Sequence, residues 1–484
     1  MRVLENLQPA KVFEYFEEIC AIPHGSGNTK KISDYLVKFA VSHNLRVIQD
    51  DSNNVIIFKP ASAGYEAAEP VIIQGHMDMV CEKADGVDID FTKEGLRLKV
   101  QDGKVIAEGT TLGADDGIAV AYALAVLDSD DIAHPALEVV ITVDEEIGML
   151  GASAIDTKVL KGKTMLNLDT EDEGYLLVSC AGGATVNCTL TGKQQDVYGY
   201  SVSIKVSGLT GGHSGIEIHR GRANANQVMG RILYQAISDY DVYISDIAGG
   251  LKDNAIPRSC ECNLIIGEDQ DVYEFSEKLQ RYADIVAGEI KLSDPEACIT
   301  VDCSPVADIY LAYNLADTKR IMTGLYTLPG GVQKMSQVIP GLVQTSLNMG
   351  ILKNYNDKVV MSFSVRSSVA SEKEELISRI KCVISSLNGS VNVEGSYPAW
   401  EYKEDSKLRD LMIDIYKEQY GKEPVVYAVH AGVECGIFAD KIEGLDCVSF
   451  GPELTDIHTP DEAMDIASVE RTWQILVTLL KKLK

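Results

Sequence analysis

The chain has 484 residues, 45 % of them hydrophobic, and its 44 basic and 72 acidic side chains leave a formal net charge of −28. One hydrophobic core rarely serves a chain of this length, so two or three domains are expected. The negative charge disfavours nucleic acid and anionic membrane surfaces as partners. Because the sequence also lacks a run of eighteen apolar residues and an apolar signal-peptide region, we expect a cytoplasmic protein.

The eleven cysteines are an odd number, and none of them forms a C-x-x-C pair. Reduced thiols are the expected state for cysteines scattered in this way through a long chain. Cys260 and Cys262 lie in a strand-like stretch, where both side chains would pack on one face as small hydrophobic groups.

Strands and helices alternate in the first part of the chain. Apolar residues at helical spacing predict a helix over 32–45, and a buried helix is predicted over 117–127. The strand-like stretches are 54–59, 70–75, 137–143 and 163–169. This alternation predicts an α/β domain with a largely parallel sheet, in which ligands collect beyond the carboxyl ends of the strands.

The pattern changes near residue 186. Residues 200–208 alternate like a half-buried antiparallel strand and 222–237 form an amphipathic helix, and a second strand and helix follow at 359–368 and 372–387. After residue 395, a helix over 407–421, a strand over 446–451 and a helix over 468–484 resemble the first part again. We therefore predict a first domain formed by 1–186 and 395–484, with one or two α+β units inserted at 187–394.

Polar side chains follow several of the predicted strands and also precede the helix predicted at 117. His76 and Asp78 come after the strand at 70–75, and residues two apart in an extended chain share a face, so the two side chains converge on one object. A metal ion and a hydrogen-bonded neighbouring loop are both compatible with that pair. The other clusters are Asp115 and Asp116, then Asp144, Glu145 and Glu146, then Asp169, and finally His458. Together they favour a cation with oxygen and nitrogen ligands, for which zinc is well suited.

Six segments carry a resemblance to a known family. They read "GHMDMV", "GTTLGADDG", "DEEIGMLGA", "NLDTEDEG", "GLTGGHSGIEIHRGRANA" and "DIHTPDE". In this order they resemble the aminoacyl-histidine dipeptidases, which belong with carboxypeptidase G and succinyl-diaminopimelate desuccinylase to the co-catalytic zinc peptidases. The resemblance spans nearly the whole chain. It implies an α/β catalytic domain with a mixed, mostly parallel sheet flanked by helices, and an inserted α+β lid or dimerisation domain.

The resemblance also implies two Zn²⁺ per subunit, with Mn²⁺ or Co²⁺ as possible substitutes. Asp115 would bridge the two ions. His76 and Asp169 would complete the protein ligands of one ion, and Glu146 and His458 those of the other. A water or hydroxide shared by the ions would then attack the peptide bond.

Two further acidic residues receive roles from the same resemblance. Asp78 would orient the ring of His76 and raise its basicity. Glu145 would be the general base that takes a proton from the shared water and returns it to the leaving amine. The peptide bond between Asp115 and Asp116 is predicted to be cis.

Other polar residues have simpler interpretations. His24, His43 and His134 are expected to be ordinary surface or loop histidines, and Asp144 a surface carboxylate. Two interpretations of Asp116 remain: it caps the helix that starts at residue 117, or it has a role at the site. His430, in a glycine-rich turn that matches the family, is expected near the substrate.

The inserted region supplies three more candidates. His213 is either a loop histidine or, as the family implies, a group that stabilises the tetrahedral oxyanion. Related dimers take this histidine from the partner subunit, so a homodimer through the inserted domain is expected. Asn254 and Arg366 match positions that hold the substrate carbonyl or C-terminal carboxylate, which an arginine fork suits.

The resulting hypothesis is a zinc-dependent dipeptidase. It would hydrolyse unblocked dipeptides, especially Xaa-His and including β-alanyl-histidine, with a water activated by two zinc ions. One alternative is a di-zinc deacylase of N-acyl amino acids. The other is a catalytically silent relative that serves as a binding protein, although every expected ligand and Glu145 are present.

Overall fold

The structure, a computed structural model, describes residues 2–484. Its α-helices are α1 (Ala10–Cys20), α2 (Lys30–Ser42), α3 (Ala114–Asp128), α4 (Leu150–Ala154), α5 (Ala225–Asp239), α6 (Val272–Ile290), α7 (Leu315–Thr327), α8 (Ala370–Ser386), α9 (Lys407–Tyr420), α10 (Glu434–Lys441) and α11 (Ile466–Lys482). Short 3₁₀ turns cover Thr157–Val159 and Ile218–Arg220.

The strands fall into four sheets. In chain order they are β1 (Arg46–Gln49), β2 (Val55–Lys59), β3 (Val71–His76), β4 (Leu98–Gln101), β5 (Lys104–Ala107), β6 (Leu137–Thr142), β7 (Thr164–Asn167), β8 (Tyr175–Cys180), β9 (Gly182–Thr191), β10 (Gln194–Ser207), β11 (Gly212–His213), β12 (Val242–Gly249), β13 (Ala255–Ile256), β14 (Cys260–Gly267), β15 (Cys298–Cys303), β16 (Asp308–Tyr313), β17 (Gly331–Met335), β18 (Val343–Tyr355), β19 (Lys358–Ser367), β20 (Ser390–Tyr397), β21 (Val425–Val429), β22 (Asp446–Ser449), β23 (Leu454–Thr455) and β24 (Ala463–Asp465). These elements confirm the predicted α/β first part and the α+β character of the middle of the chain.

The chain divides into two compact units. The first comprises Met1–Cys180, Tyr402–Ala428 and Val433–Lys484, and the second comprises Ala181–Glu401 and Val429–Gly432. The second unit is therefore an insertion into the first, as the sequence predicts, and it also takes four residues from a turn that the sequence assigns to the first domain. Its boundaries fall after residues 180 and 401, against predicted boundaries after 186 and 394.

The first unit is built on an eight-stranded sheet of order β1-β2-β6-β3-β7-β22-β8-β21. The sheet is mixed: β3 pairs in parallel with β6 and β7, and β7 with β22, while the flanking pairs β1–β2, β2–β6 and β22–β8 are antiparallel. All six residues of β3 and of β6 are buried, as expected for strands covered on both faces. The apolar helix α3 packs on β3 and on α1.

A second, four-stranded sheet in this unit has the order β23-β24-β5-β4. Its β4–β5 hairpin is formed by two four-residue strands, of which β4 is largely exposed and β5 alternates between half-buried and buried residues. The hairpin pairs through Ile106 with Ala463 of β24. The turn between β23 and β24, which contains His458, is thereby attached to the rest of the unit.

The second unit is built on a ten-stranded antiparallel sheet. Its main path is β15-β10-β14-β12-β18-β19-β9-β20, with β16 paired to β10 and β17 to β18. One face carries helices α5 to α8 over a continuous apolar core, to which Val202, Ile204 and Val206 contribute in strict alternation along β10. Cys260 and Cys262 are buried free thiols on β14, as predicted. Among residues 2–484, no helix is long and apolar enough to cross a membrane.

Candidate metal centre

The carboxyl ends of the central parallel strands bring the predicted metal ligands of the first unit together. His76 is the last residue of β3, Glu145 and Glu146 follow β6 in the next loop, and Asp169 follows β7. Asp115 lies at the start of α3. The strands are adjacent and parallel, so their ends meet at one edge of the sheet, and the first turn of α3 lies beside the end of β3.

Asp115 stands between the two predicted histidine ligands. Its Oδ1 is 3.2 Å from Nε2 of His76, and its Oδ2 is 3.0 Å from Nε2 of His458. A carboxylate whose two oxygens face two separate imidazoles has the geometry of a bridging ligand. The peptide bond between Asp115 and Asp116 is cis, which confirms that prediction.

The remaining ligand candidates flank this bridge. Oε1 of Glu146 lies 2.8 Å from Nε2 of His458, and Oδ1 of Asp169 lies 3.6 Å from Nε2 of His76. Three groups of side chains can each offer ligand atoms to one cation: Asp115 with Glu146 and His458, His76 with Asp116 and Asp169, and His76 with Glu145 and Glu146. The structure thus contains a possible metal site at these residues.

Asp78 contacts the site in a way that the sequence does not show. Nδ1 of His76 is 3.0 Å from the backbone carbonyl oxygen of Asp78 and 3.6 Å from its carboxylate Oδ1. The Asp78 carboxylate instead accepts backbone N–H groups from Glu145 at 3.0 Å and Glu146 at 3.4 Å, and the hydroxyl of Ser26 at 2.8 Å. Donation from Nδ1 to the carbonyl leaves Nε2 as the nitrogen that faces Asp115 and would bind a metal once it is deprotonated.

Gly75 allows the cis-linked aspartates to approach the sheet. The carboxylate of Asp116 accepts the backbone N–H of His76 at 3.1 Å, so Asp116 is tied to β3 rather than serving as the helix cap weighed above. A Cβ atom at residue 75 would lie 2.5 Å from Oδ2 of Asp116 and 2.6 Å from Cβ of Ala119. Both approaches are too close for non-bonded atoms, so only glycine fits there.

The electrostatics of the site favour a cation. Burial raises the pKa of Glu145 to about 9 and that of Asp169 to about 6. Hydrogen bonds with Asp115 and Glu146 raise the pKa of His458 to about 10. Burial alone would lower the pKa of His76, but Asp115, Asp169 and Asp78 raise it well above its ordinary value.

The negative charge of the clustered carboxylates therefore keeps protons bound to the neighbouring acidic and imidazole groups. A divalent cation would offset the same negative charge. Imidazole nitrogens combined with carboxylate oxygens suit Zn²⁺, and also Mn²⁺ or Co²⁺. The residues present thus fit a metal centre.

Two buried carboxyl groups near the centre have no predicted role. Glu434 accepts hydrogen bonds at 2.6 Å from Gln74 of β3 and from Thr142 of β6, and burial raises its pKa to about 7. Glu462 accepts backbone N–H groups from the loop before Asp115. Both lie in segments that match the family, "HAGVECG" and "DIHTPDE", but nothing in one sequence distinguishes them from surface acids.

His24 and His134 are loop histidines, as one of the two expected interpretations has it, but they are not exposed. Both are buried, with 2 % of each residue exposed. Each uses Nδ1 to contact a nearby backbone carbonyl, that of Ile22 and that of Pro135, respectively, at 2.6 Å. Asp144 is half-buried and accepts the backbone N–H of Gly27.

The three predicted substrate residues, His213, Asn254 and Arg366, all belong to the second unit. His213 of β11 pairs with Ala255 of β13, and the carbonyl of Asn254 accepts the N–H of Ser214 at 2.8 Å. Nδ1 of His213 accepts backbone N–H groups from Gly215 at 3.1 Å and Ile216 at 3.2 Å. A neutral ring in this setting carries its proton on Nε2, which is then a hydrogen-bond donor.

A second cluster forms around Gly215. A Cβ atom there would lie 2.7 Å from the carbonyl oxygen of His430, 3.0 Å from Cε1 of His213 and 3.2 Å from Nε of Arg366. Arg366 donates to the hydroxyl of Tyr397 at 3.0 Å, while its own Nε and the Nδ1 of His430 are buried without a hydrogen-bond partner in the described residues. Burial and the Arg366 charge lower the pKa of His430 to about 3. The cluster suits an anionic group.

The fold and the centre together define a metal-dependent hydrolase of the mixed α/β class. The chain belongs to the peptidase family M20/M25/M40, whose model matches residues 72–482. It is 34 % identical over 485 aligned residues to the cytosol non-specific dipeptidase of Escherichia coli K12, covering 100 % of this chain and 99 % of the relative.

Solved structures agree with this assignment. The aminoacylhistidine dipeptidase of Vibrio alginolyticus superposes with a TM-score of 0.92 at 34 % identity, covering 99 % of this chain and 97 % of that one. The aminopeptidase PepT of Bacillus cereus shares the fold, with a TM-score of 0.57 at 16 % identity and 99 % of each chain covered. The catalytic domain with an inserted unit is thus confirmed.

Proposed function

We propose that this protein is a metal-dependent dipeptidase that hydrolyses unblocked dipeptides, Xaa-His and β-alanyl-histidine among them. The observation that carries the proposal is the position of Asp115 between His76 and His458, with Asp169 and Glu146 beside them. The names of the Escherichia coli and Vibrio alginolyticus relatives support the same substrate class.

The proposed ligands form two sets that share Asp115. His76 and Asp169 would hold one ion, and Glu146 and His458 would hold the other. When bound, two zinc ions polarise the peptide carbonyl and lower the pKa of a water molecule towards neutrality. Asp78 keeps the loop of Glu145 and Glu146 in place through its hydrogen bonds to their backbone amides.

Glu145 is the proposed general base. Its carboxylate takes a proton from the attacking water and transfers it to the amine nitrogen as the peptide bond breaks. Its backbone is fixed by Asp78 and its side chain lies in the carboxylate cluster, where burial raises its pKa in the metal-free protein. Positive charge at the centre would favour the ionised form that a base needs.

The substrate is proposed to contact residues of the inserted unit. Arg366 pairs with the C-terminal carboxylate, because its buried Nε has no other partner among the described residues. Nε2–H of His213 donates to the oxyanion that forms from the carbonyl, and Asn254 holds the substrate carbonyl. A free carboxylate on the substrate distinguishes dipeptides and N-acyl amino acids from internal peptide bonds.

We also propose a cytoplasmic homodimer that associates through the inserted unit. On that unit, Tyr198 and Ile309 are cross-strand neighbours, and Leu311 lies on the same face. These three side chains are 52 %, 64 % and 55 % exposed. A contiguous apolar patch of this kind is typical of a protein–protein contact. Sedimentation of wild type beside Ile309→Glu tests it: a wild-type monomer at micromolar concentration would contradict the proposal.

The function is tested with a substrate panel. Zinc-loaded wild type and Glu145→Gln are assayed on β-alanyl-histidine, on several unblocked dipeptides and on N-acyl amino acids. We expect turnover of dipeptides by wild type and a loss of several orders of magnitude in the variant at unchanged metal content. Turnover of N-acyl amino acids alone would identify the deacylase. No turnover of either class by metal-loaded wild type would identify the silent relative.

A further inference from the structure

A buried carboxylate holds the loop that leads into Asp115. Oε2 of Glu462 accepts the backbone N–H groups of Leu112 at 2.8 Å and Gly113 at 3.2 Å. Its Oε1 accepts those of Ala114 at 2.9 Å and Asp115 at 3.4 Å. Only 3 % of Glu462 is exposed. Four consecutive amides thus converge on the two oxygens of one side chain.

These amides lie in an irregular stretch of backbone. Asp115 and Asp116 have non-helical backbone angles, with ψ of 102° and 32°, so the regular turns of α3 begin only after them. Residue 113 is a glycine and has no side chain that could accept the free N–H groups. Glu462 supplies the missing acceptor from a position 349 residues further along the chain. The four N–H groups that converge on its oxygens favour the ionised carboxylate.

Glu462 lies on the same short segment as His458. Within this turn the N–H of Glu462 donates to the carbonyl of Thr459 at 3.1 Å, and the hydroxyl of Thr459 donates to the carbonyl of Asp456 at 2.6 Å. The turn is tight, and His458 itself has a positive φ of 61°. A rigid segment therefore carries both the imidazole that faces Asp115 and the carboxylate that holds the Asp115 backbone.

We infer that Glu462 is a positioning residue that sets the separation between the Asp115 carboxylate and the His458 imidazole. The inference rests on the proposed metal centre, to which Glu462 itself contributes no ligand. Asp115 is held by its own amide and by the three amides that precede it, so its backbone cannot shift away from His458 without breaking those hydrogen bonds. Partners of this kind, one step removed from a metal, typically change metal affinity or activity by about 10- to 100-fold when lost.

Glu462→Gln is the informative substitution. It preserves the volume of the side chain but replaces one oxygen with an NH₂ group, which cannot accept from the two amides that face it. About half of the hydrogen bonds to the loop are therefore lost. We expect the ion shared by Asp115 and His458 to bind about 10- to 100-fold more weakly, and the amides of residues 112–115 to exchange with solvent faster.

Glu138→Gln is a matched control. Glu138 is also a buried carboxylate on the first unit, with 4 % exposed, and it accepts the backbone N–H groups of Lys161 and Gly162 at 2.9 Å. It lies at the start of β6, whereas the candidate ligands follow the end of that strand. This variant loses the same kind of interaction without touching the centre.

The experiment titrates zinc into metal-free full-length wild type, Glu462→Gln and Glu138→Gln, with chelator competition as the readout of affinity. Hydrogen exchange of residues 112–115 and the thermal midpoint are measured on the same samples. Selective weakening of one ion in Glu462→Gln, with faster exchange and with dipeptide turnover recovered by excess zinc, supports the inference. Wild-type affinity in a folded Glu462→Gln, or equal weakening in both variants, overturns it and leaves Glu462 a stabilising residue only.

Two further measurements keep the outcome unambiguous. If Glu462→Gln does not fold, Glu462→Asp replaces it, because the shorter carboxylate keeps its charge but reaches fewer of the four amides; unchanged zinc affinity in that variant also overturns the inference. Wild type that binds no zinc, or binds it without hydrolysing dipeptides, contradicts the proposed function itself. If only the inference fails and the proposed function holds, wild type remains active and the two variants bind zinc equally well.

Discussion

Loading the metal-free protein with zinc is predicted to release protons. In the metal-free state, hydrogen bonds with Asp115 and Glu146 raise the pKa of His458 to about 10, and carboxylates raise that of His76 well above its ordinary value. Both imidazoles therefore carry a proton at pH 7. A histidine binds a metal only as the neutral ring, so each proton has to leave when the ions bind.

The number of protons follows from these pKa values. At pH 7 the two imidazoles release about two protons, so the logarithm of the overall zinc affinity rises by about two for each pH unit. Glu145, whose pKa burial raises to about 9, adds up to one more if the bound charge lowers that pKa below 7. The expected release is about two to three protons for each fully loaded subunit.

Calorimetric titration measures this release directly. The observed heat of zinc binding is compared in two weakly coordinating buffers that differ in protonation enthalpy, and the difference gives the proton count. His458→Gln removes one titrating ligand and is expected to release about one proton fewer. Release of less than about one proton by wild type with both ions bound would refute the reasoning, because the imidazoles would then already be neutral in the metal-free protein.

Three other changes have expected outcomes. The free energy of unfolding of the metal-free protein should fall as pH rises from about 6.5 to about 10, because His458 binds its proton more tightly in the folded than in the unfolded protein. Urea titrations across that pH range, with and without zinc, measure this change. A free energy of unfolding that does not vary with pH in the absence of zinc would contradict the prediction. Gly75→Ala should reduce zinc binding, since its Cβ would meet Asp116 and Ala119 at 2.5 and 2.6 Å; wild-type stoichiometry would show that the helix yields instead. Arg366→Lys should raise KM for dipeptides by about 10-fold or more with a smaller change in kcat, because the variant loses a two-pronged charge-assisted hydrogen bond that contributes about 1.5–3 kcal/mol. Steady-state kinetics on the zinc-saturated enzyme measure both constants. An unchanged KM would contradict a contact between Arg366 and the substrate carboxylate.

The sequence is enough to bring the proposed ligands together because their positions follow the topology of the sheet. His76 is the last residue of one apolar strand and Asp169 lies just beyond the end of another. The ends of neighbouring parallel strands share an edge, so the order of these residues along the chain is enough to bring them together. The contact of Glu462 with the amides of Leu112 to Asp115 could not be predicted, since backbone donors are the same in every residue and the partners are far apart in sequence. The β4–β5 hairpin is not predicted either, because its strands have only four residues each and β4 is largely exposed, so neither gives a long hydrophobic pattern.

The order in which the first unit is completed follows from where β22 lies. This strand, near the end of the chain, sits between β7 and β8 in the sheet, and the insertion of the second unit separates it from both by more than 260 residues. A ribosome has therefore released nearly the whole second unit before the first sheet can close and before His458 is available to join Asp115. Until then the nascent first unit exposes two strand edges, which pair readily with other chains. Acquisition of the ion assigned to Glu146 and His458 thus waits until the segment around His458 has been synthesised.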